Sequence, residues 1–344
     1  MTMLSVYTDF LDKNNIEYDV IHIDKYGENE SNNATNVYSY PIKVNRNWSK
    51  ARKVKEYYGF KKFAKKIINK KQYDFIIVWN SFTAFMFADY LSLKFKGKYS
   101  INIRDYNKEN LLPIYLIMKA VIKFSAFTTI SSEGFKNFLP PYKYVNVYSY
   151  NQSMLEQTNP RTQLRKVNQP LRISFIGYVR FFDNDKKVID ELGNDNRFIV
   201  QYFGEGAERL KEYAQDKGYS NVICKGRFDT KETSKLLEKT DIINNLYGTG
   251  TPGLRTALSI KLYYAIYLRI PILVYKGTYM DEISKNYNIN ITIEDQYFQS
   301  MGDEIYNTYH NIQFNKLDQG CKDYIEVIKE NQSHFRRIMK SYLI

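Results

Sequence analysis

The stretch LRISFIGYVRFFDNDKKVIDELGNDNRFIVQYFGEG, residues 171–206, decides the fold. LRISFIGYV is a short, near-continuous apolar run and reads as a buried strand. KKVIDELGN has apolar residues at helical spacing. FIVQYFGEG is again a strand and ends in a glycine turn. Strand, helix and strand in this order call for a parallel sheet with a right-handed crossover. The alternation continues downstream. RLKEYAQDKG is a helix ending at Gly218, NVICKGRF a strand, TKETSKLLEKT a helix, DIINNLY a strand, TALSIKLYYAIYLR a helix and PILVYK a strand. Short helices follow, and residues 321–342 form a terminal helix.

Upstream, a second alternation is legible. YDFIIVWN (73–80) is a buried strand, FTAFMFADYLSLKF a helix and YSINIRDY (99–106) a strand. A long helix covers 109–124. The strand AFTTIS, the helix SEGFKNFL and the strand YVNVYSY (144–150) close this half. Ser131, Ser132 and Glu133 read as a helix N-cap with an acidic first turn. Residues 151–170 hold two prolines and no sustained periodicity, and read as a linker. The predicted organisation is therefore α/β, with two Rossmann-like doubly wound domains facing a cleft. The first covers 1–155 and the second 170–320; the terminal helix, 321–344, packs back on the first. In such sheets ligands bind beyond the carboxyl ends of the strands. The opening departs from this pattern. Residues 3–14 are helical and 18–23 a strand, so the expected first buried strand is missing, which reads as a truncation.

The chain has 344 residues, 44% hydrophobic and 25% charged, which excludes a disordered or fibrous protein. Its net charge is +13. Residues 1–150 hold 23 basic and 13 acidic side chains, against 27 and 24 in the remainder. Much of the surplus lies in 49–71, SKARKVKEYYGFKKFAKKIINKK, with ten Lys or Arg and one Glu. This is a basic amphipathic helix, expected to bend or break near Gly59. It is read as a solvated face, an anionic-membrane contact or a nucleic-acid contact; no nucleic-acid motif accompanies it.

Other classes are excluded. Two cysteines, Cys224 and Cys321, make no disulfide framework and fit a reducing compartment. Three isolated histidines, His22, His310 and His334, offer no metal spacing and no nucleophile motif. No apolar run is long enough to span a bilayer. The N-terminus lacks the features of a signal peptide. The default is a cytoplasmic protein.

Three segments in the second half carry the chemistry: ISFIGYVRFFDNDKKVI (173–189), FGEGAERL to NVICKGRF (203–228), and KTDIINNLYG to SIKLYYAIYLRIPILV (239–274). In order and spacing the chain resembles the retaining nucleotide-sugar glycosyltransferases of family 4, which have the GT-B fold. More narrowly it is similar to those of bacterial capsular and exopolysaccharide biosynthesis. The resemblance covers most of 73–340 and implies a nucleotide-sugar donor, a lipid-linked saccharide acceptor and no metal or other cofactor. An Arg and a following Lys stabilise the leaving diphosphate in that family. Arg180 and Lys186 match, with Lys187 as an alternative to the latter, and Lys261 is the basic group expected from the later helix. A planar guanidinium suits a diphosphate. Gly177, Gly204, Glu205, Gly206, Arg227, Phe228, Tyr247, Leu262 and Tyr264 are the implied donor-binding set. The helix after YGTGTPG is expected to aim its N-terminus at the donor. Two glutamates of the family pattern are absent: Thr256 and Tyr264 stand in their places, and a phenol supplies no carboxylate. Arg104 and Asp105, at a strand end of the first domain, are the acceptor-side candidates. The resemblance also favours membrane association through 49–71, at the inner face of the membrane. Three rivals remain: an inverting hexofuranosyltransferase, a nucleotide-sugar epimerase, and a non-catalytic member that only binds a partner.

Overall fold

A computed structural model describes residues 5–24, 33–42, 49–148, 150–294 and 300–344. They fall into two compact units. The first gathers described residues within 1–131, 138–149 and 331–344, and the second those within 132–137 and 150–330.

In the first unit, helix α1 (Ser5–Lys13) opens the chain and is followed by strands β1 (Asp19–Asp24) and β2 (Asn36–Pro41). These two strands pair in parallel as a separate ribbon, Asp19 opposite Asn36. Helix α2 (Lys50–Lys71) then leads to β3 (Ile76–Trp79). It is one unbroken helix, capped by the Ser49 hydroxyl, which accepts from Arg52 N. The bend expected at Gly59 is absent. The glycine serves packing instead: a Cβ there would lie 2.2 Å from the Tyr40 hydroxyl. The single helix expected after β3 is two, α3 (Ser81–Met86) and α4 (Ala88–Lys94), divided at Phe87. Next come β4 (Tyr99–Ile103), α5 (Leu112–Lys123), β5 (Phe127–Ile130) and β6 (Val145–Asn146). Strands β3 to β6 form a parallel sheet in sequential order. All five residues of β4 are buried, as a parallel strand covered on both faces requires. One side of β5 and β6 packs against Tyr7, Phe335 and Met339, so both ends of the chain close this core.

The second unit begins with the short helix α6 (Gln152–Glu156). Pro160 and Pro170, both after this helix, do not leave 151–170 irregular throughout. Arg161 and Arg165 instead hold the segment to the unit: both reach the buried carboxylate of Asp241, at 3.0 and 3.5 Å. The alternation then runs β7 (Leu171–Ile176), α7 (Phe182–Leu192), β8 (Phe198–Phe203), α8 (Ala207–Asp216), β9 (Val222–Lys225), α9 (Thr233–Glu238) and β10 (Ile242–Asn244). It continues with α10 (Pro252–Thr256), α11 (Ile260–Leu268), β11 (Ile272–Tyr275), α12 (Tyr279–Asn286), β12 (Asn290–Ile293) and α13 (Met301–Asn311); the last helix, α14 (Phe314–Leu343), begins in this unit, and from Asn331 on it belongs to the first. The six strands are parallel in the order β12-β11-β10-β7-β8-β9. Progression reverses between β7 and β10, and a crevice opens beyond the carboxyl ends of strands at such a switch point. The edge strand β12 was not expected from sequence. Residues 133–137 form a 3-10 turn in place of the expected helix. Ser132 still caps it, accepting from Gly134 N.

Candidate functional site

The loops leaving β7 and β8 lie against one another through main chain. Gly177 N donates to Phe203 O, Val179 N to Glu205 O, and Gly204 N to Lys225 O, each at 2.9 Å. The glycines make this possible. Gly204 has φ +138, and a Cβ there would sit 2.0 Å from the Gly177 carbonyl oxygen. A Cβ at Gly206, φ +91, would sit 2.5 Å from Val179 O. Main chain therefore forms this strand-end wall, and no side chain can be added at these points without displacing it. Glu205, beside them, is exposed.

Arg180 is exposed on the loop after β7. Its guanidinium lies 5.0 Å from the Phe181 ring centre and 6.0 Å from that of Tyr247. Tyr247 follows β10, so the aromatic contact joins the two strands at the switch point. Lys186 sits farther along α7 with its ammonium over Phe182 and Tyr213, at 4.7 and 4.5 Å. Arg209 of α8 also lies over Phe182, at 4.2 Å. Arg209 was not anticipated; no motif marks it, and only the fold brings it beside Lys186. Lys187 is exposed on α7, and Arg227 is exposed beyond β9 with Phe228 half-buried next to it.

The helix after YGTGTPG is not continuous. It breaks into the five-residue α10 and a separate α11, which is capped by Ser259. An α10 of that length supplies no extended helix dipole. Lys261, in the first turn of α11, is 1% exposed. Its ammonium is 3.6 Å from the Phe175 ring centre and donates to the Tyr247 hydroxyl at 2.5 Å. Burial lowers its pKa, opposed by Tyr247 and Asp185. Asp185 on α7 is 2% exposed, and its Oδ2 has no hydrogen-bond partner among the described residues. Burial pushes this carboxyl up to about 7, against the pull of Lys261. The Tyr202 hydroxyl donates to the Asp185 carbonyl at 3.3 Å. An ammonium, a carboxyl and two phenols thus share the interior directly beneath the switch point. Lys261 faces them rather than solvent.

Leu262 is core. Tyr264 is half-buried, with burial raising its phenol to about 12. Thr256 is buried; its hydroxyl donates to Pro252 O at 2.7 Å, and its carbonyl accepts from Ser132.

In the first unit, Arg104 follows β4 with its guanidinium 5.7 Å from the Trp79 ring centre, and Asp105 is exposed. The same sheet edge holds a polar group that sequence reasoning missed. Glu109 is fully buried and accepts from the Ser81 hydroxyl and from Asn107 N. The Asn107 amide donates to Asn80 Oδ1 at 2.8 Å and to Ser81 Oγ at 2.9 Å. Asn80 follows β3 with φ +74 and ψ 146, a positive-φ backbone outside the αL well that residues other than glycine rarely adopt.

No protein-family profile and no curated protein matches the chain in sequence. Solved structures match in shape. Sucrose-phosphate synthase from Thermosynechococcus elongatus superposes with a TM-score of 0.72 at 8% identity, over 97% of this chain and 91% of that one. WaaG, a glycosyltransferase of lipopolysaccharide biosynthesis, gives 0.61 at 13% identity, over 98% and 90%. Anabaena HepE in complex with UDP gives 0.61 at 9% identity, over 89% and 86%. The chain has the GT-B fold, as its sequence led us to expect.

Proposed function

We propose that the protein is a glycosyltransferase that takes a sugar from a nucleotide-diphosphate donor, held by the second unit, and passes it to a lipid-linked saccharide. The observation that carries this reading is the switch point itself. Glycine-tight main chain lines it and the exposed guanidinium of Arg180 stands over it. The UDP-bound state of a protein of the same fold supports it.

Breaking the bond between sugar and diphosphate develops negative charge on the departing phosphate oxygen. Fixed cations stabilise that charge more in the transition state than in the ground state. Arg180 has the planar donor fork for this task, and Lys186 is the second cation on the same loop and helix. Lys261, being buried, acts through Tyr247. These cations would take the role that a metal plays elsewhere. Gly177, where a Cβ would meet nothing, leaves main chain open to the nucleotide, and Gly204 and Gly206 hold that wall together; Glu205, Arg227, Phe228 and Tyr264 complete the donor side. Arg104 and Asp105 face the acceptor. We assign the reaction, with retention at the sugar carbon, to capsular or exopolysaccharide assembly at the cytoplasmic face of the membrane. The lysines of α2 meet anionic lipid there. No helix among the described residues is long and apolar enough to cross a membrane.

Calorimetry against UDP-, GDP- and CMP-sugars tests the reading. One nucleotide class should bind, and Arg180→Ala should weaken it by about tenfold or more, the worth of a charge-assisted contact. Silence across the panel would favour a partner-binding protein without catalysis. Unchanged affinity and transfer in both Arg180→Ala and Lys261→Ala would misplace the site.

A further inference from the structure

Helix α5 is apolar on two faces. Met118, Val121 and Ile122 are buried against the unit. On the other side Leu112 is 67% exposed, Leu116 55% and Ile117 39%, with Leu111 before them at 49%. Leu112 and Leu116 are one turn apart and stand on one stripe. A helix on the surface of a soluble domain normally turns polar residues outward; one that is apolar on both sides is covered by something. Helix α5 packs on α3 and α4. Phe82 of α3 is 40% exposed and touches Tyr57 of the basic helix α2, ring centres 5.1 Å apart. Both α3 and α5 start at the carboxyl edge of the parallel sheet, so Phe82 and Leu112 belong to one rim.

Charge identifies the occupant. Between Tyr106 and Phe124 the exposed ionic side chains are Lys108, Lys119 and Lys123, all positive; the one acidic residue, Glu109, is buried. Beyond α3 and α4, α2 adds Lys62, Lys66, Lys70 and Lys71, all exposed. Apolar side chains bracketed by lysines suit an interface in which leucines enter the acyl boundary and ammonium groups stay among anionic headgroups. The ridge itself, Leu111–Ile117, carries no charge; of the nearby exposed carboxylates Asp89 of α4 is paired with Lys61 of α2, and Asp105 precedes the ridge.

We propose that the Leu111–Ile117 ridge is the membrane-inserting element of the first unit, docking into an anionic bilayer while α2 supplies long-range attraction. This deepens, and rests on, the reading of the first unit as membrane-facing. It adds an apolar anchor on an element distinct from the basic helix.

The test uses the full chain with vesicles of phosphatidylcholine, with and without phosphatidylglycerol. Wild type should sediment with the anionic vesicles. Leu112→Glu combined with Leu116→Glu should weaken partition on the order of tenfold or more, since each side chain loses its apolar burial. Both residues are exposed, so circular dichroism should be unchanged. Lys62→Glu combined with Lys66→Glu should weaken binding more at low than at high salt. Leu116→Trp should give a blue-shifted emission on adding anionic vesicles. Wild-type binding that the leucine double variant retains, or a Leu116→Trp emission that does not move, overturns the anchor and leaves the membrane reading standing on α2. No vesicle binding by wild type overturns both. Self-association of wild type that the double variant abolishes would make the ridge an interface between copies and overturn the proposal.

Discussion

Lys261 donates its hydrogen bond to the hydroxyl of Tyr247 from inside the second unit, 14 positions along the chain and one helix away. The pair ties the first turn of α11 to the loop after β10, and Tyr247 in turn faces Phe181 and the Arg180 guanidinium.

Removing only the hydroxyl exposes the worth of that link. Tyr247→Phe leaves a buried ammonium with one fewer acceptor, and should cost about 1–3 kcal/mol in urea unfolding. A change below about 0.5 kcal/mol would mean that the aromatic faces alone hold the ammonium.

Asp185 should make stability depend on pH. Its carboxyl titrates near pH 7 in the folded chain, above its ordinary range, because burial disfavours the charge. Between about pH 4 and pH 7 the folded state therefore binds more protons than the unfolded one. The Asp185 contribution is complete below pH 4 and is lost as pH rises through 7. Melting temperatures measured from pH 4 to pH 8 should fall more steeply with rising pH in wild type than in Asp185→Asn. Parallel curves would show that the carboxylate finds compensation.

Asp241 anchors Arg161 and Arg165, and its carboxylate also accepts from Arg172 N at 3.0 Å. Asp241→Ala leaves two half-enclosed guanidinium groups facing an empty site. It should destabilise by about 3 kcal/mol in denaturant unfolding, the usual cost of removing one partner from a buried pair. Limited proteolysis should then cut within 151–170 faster than in wild type.

Arg180 is the opposite case. Its side chain is exposed and over aromatic rings, so Arg180→Ala should move stability by no more than about 0.5–1 kcal/mol. A large loss of stability would reassign the arginine from ligand contact to packing.

The sheets were legible because buried parallel strands are dense apolar runs. LRISFI and PILVYK announce themselves. NITI at 290–293 does not: four residues with an asparagine at the edge of a sheet carry too little pattern. Gly59 misled because a glycine in a helix suggests a bend, whereas its reason is Tyr40, on another element. The break at 257–259 inside TALSIK was hidden for a similar reason. Nothing local ends the helix there, and Ser259 caps a new one. For the candidate site, Arg180 stood out as an arginine at a strand end and the glycines as a strand-to-helix turn. The burial of Lys261 did not, since its surroundings come from β7, α7 and the loop after β10. Glu109 and Arg209 were invisible for the same cause: each matters through neighbours distant in sequence.

The contact of Gly204 with the carbonyl of Gly177 has a bearing on how such a protein drifts. An obstacle made of side chain can be relieved by a second substitution, so two positions wander together. An obstacle made of peptide cannot, because every amino acid brings the same carbonyl. The exposed side chains of Arg180 and Lys187, by contrast, meet no such obstacle of peptide. Position 204 therefore calls for glycine on steric grounds alone, a requirement of the fold that holds whatever the protein binds.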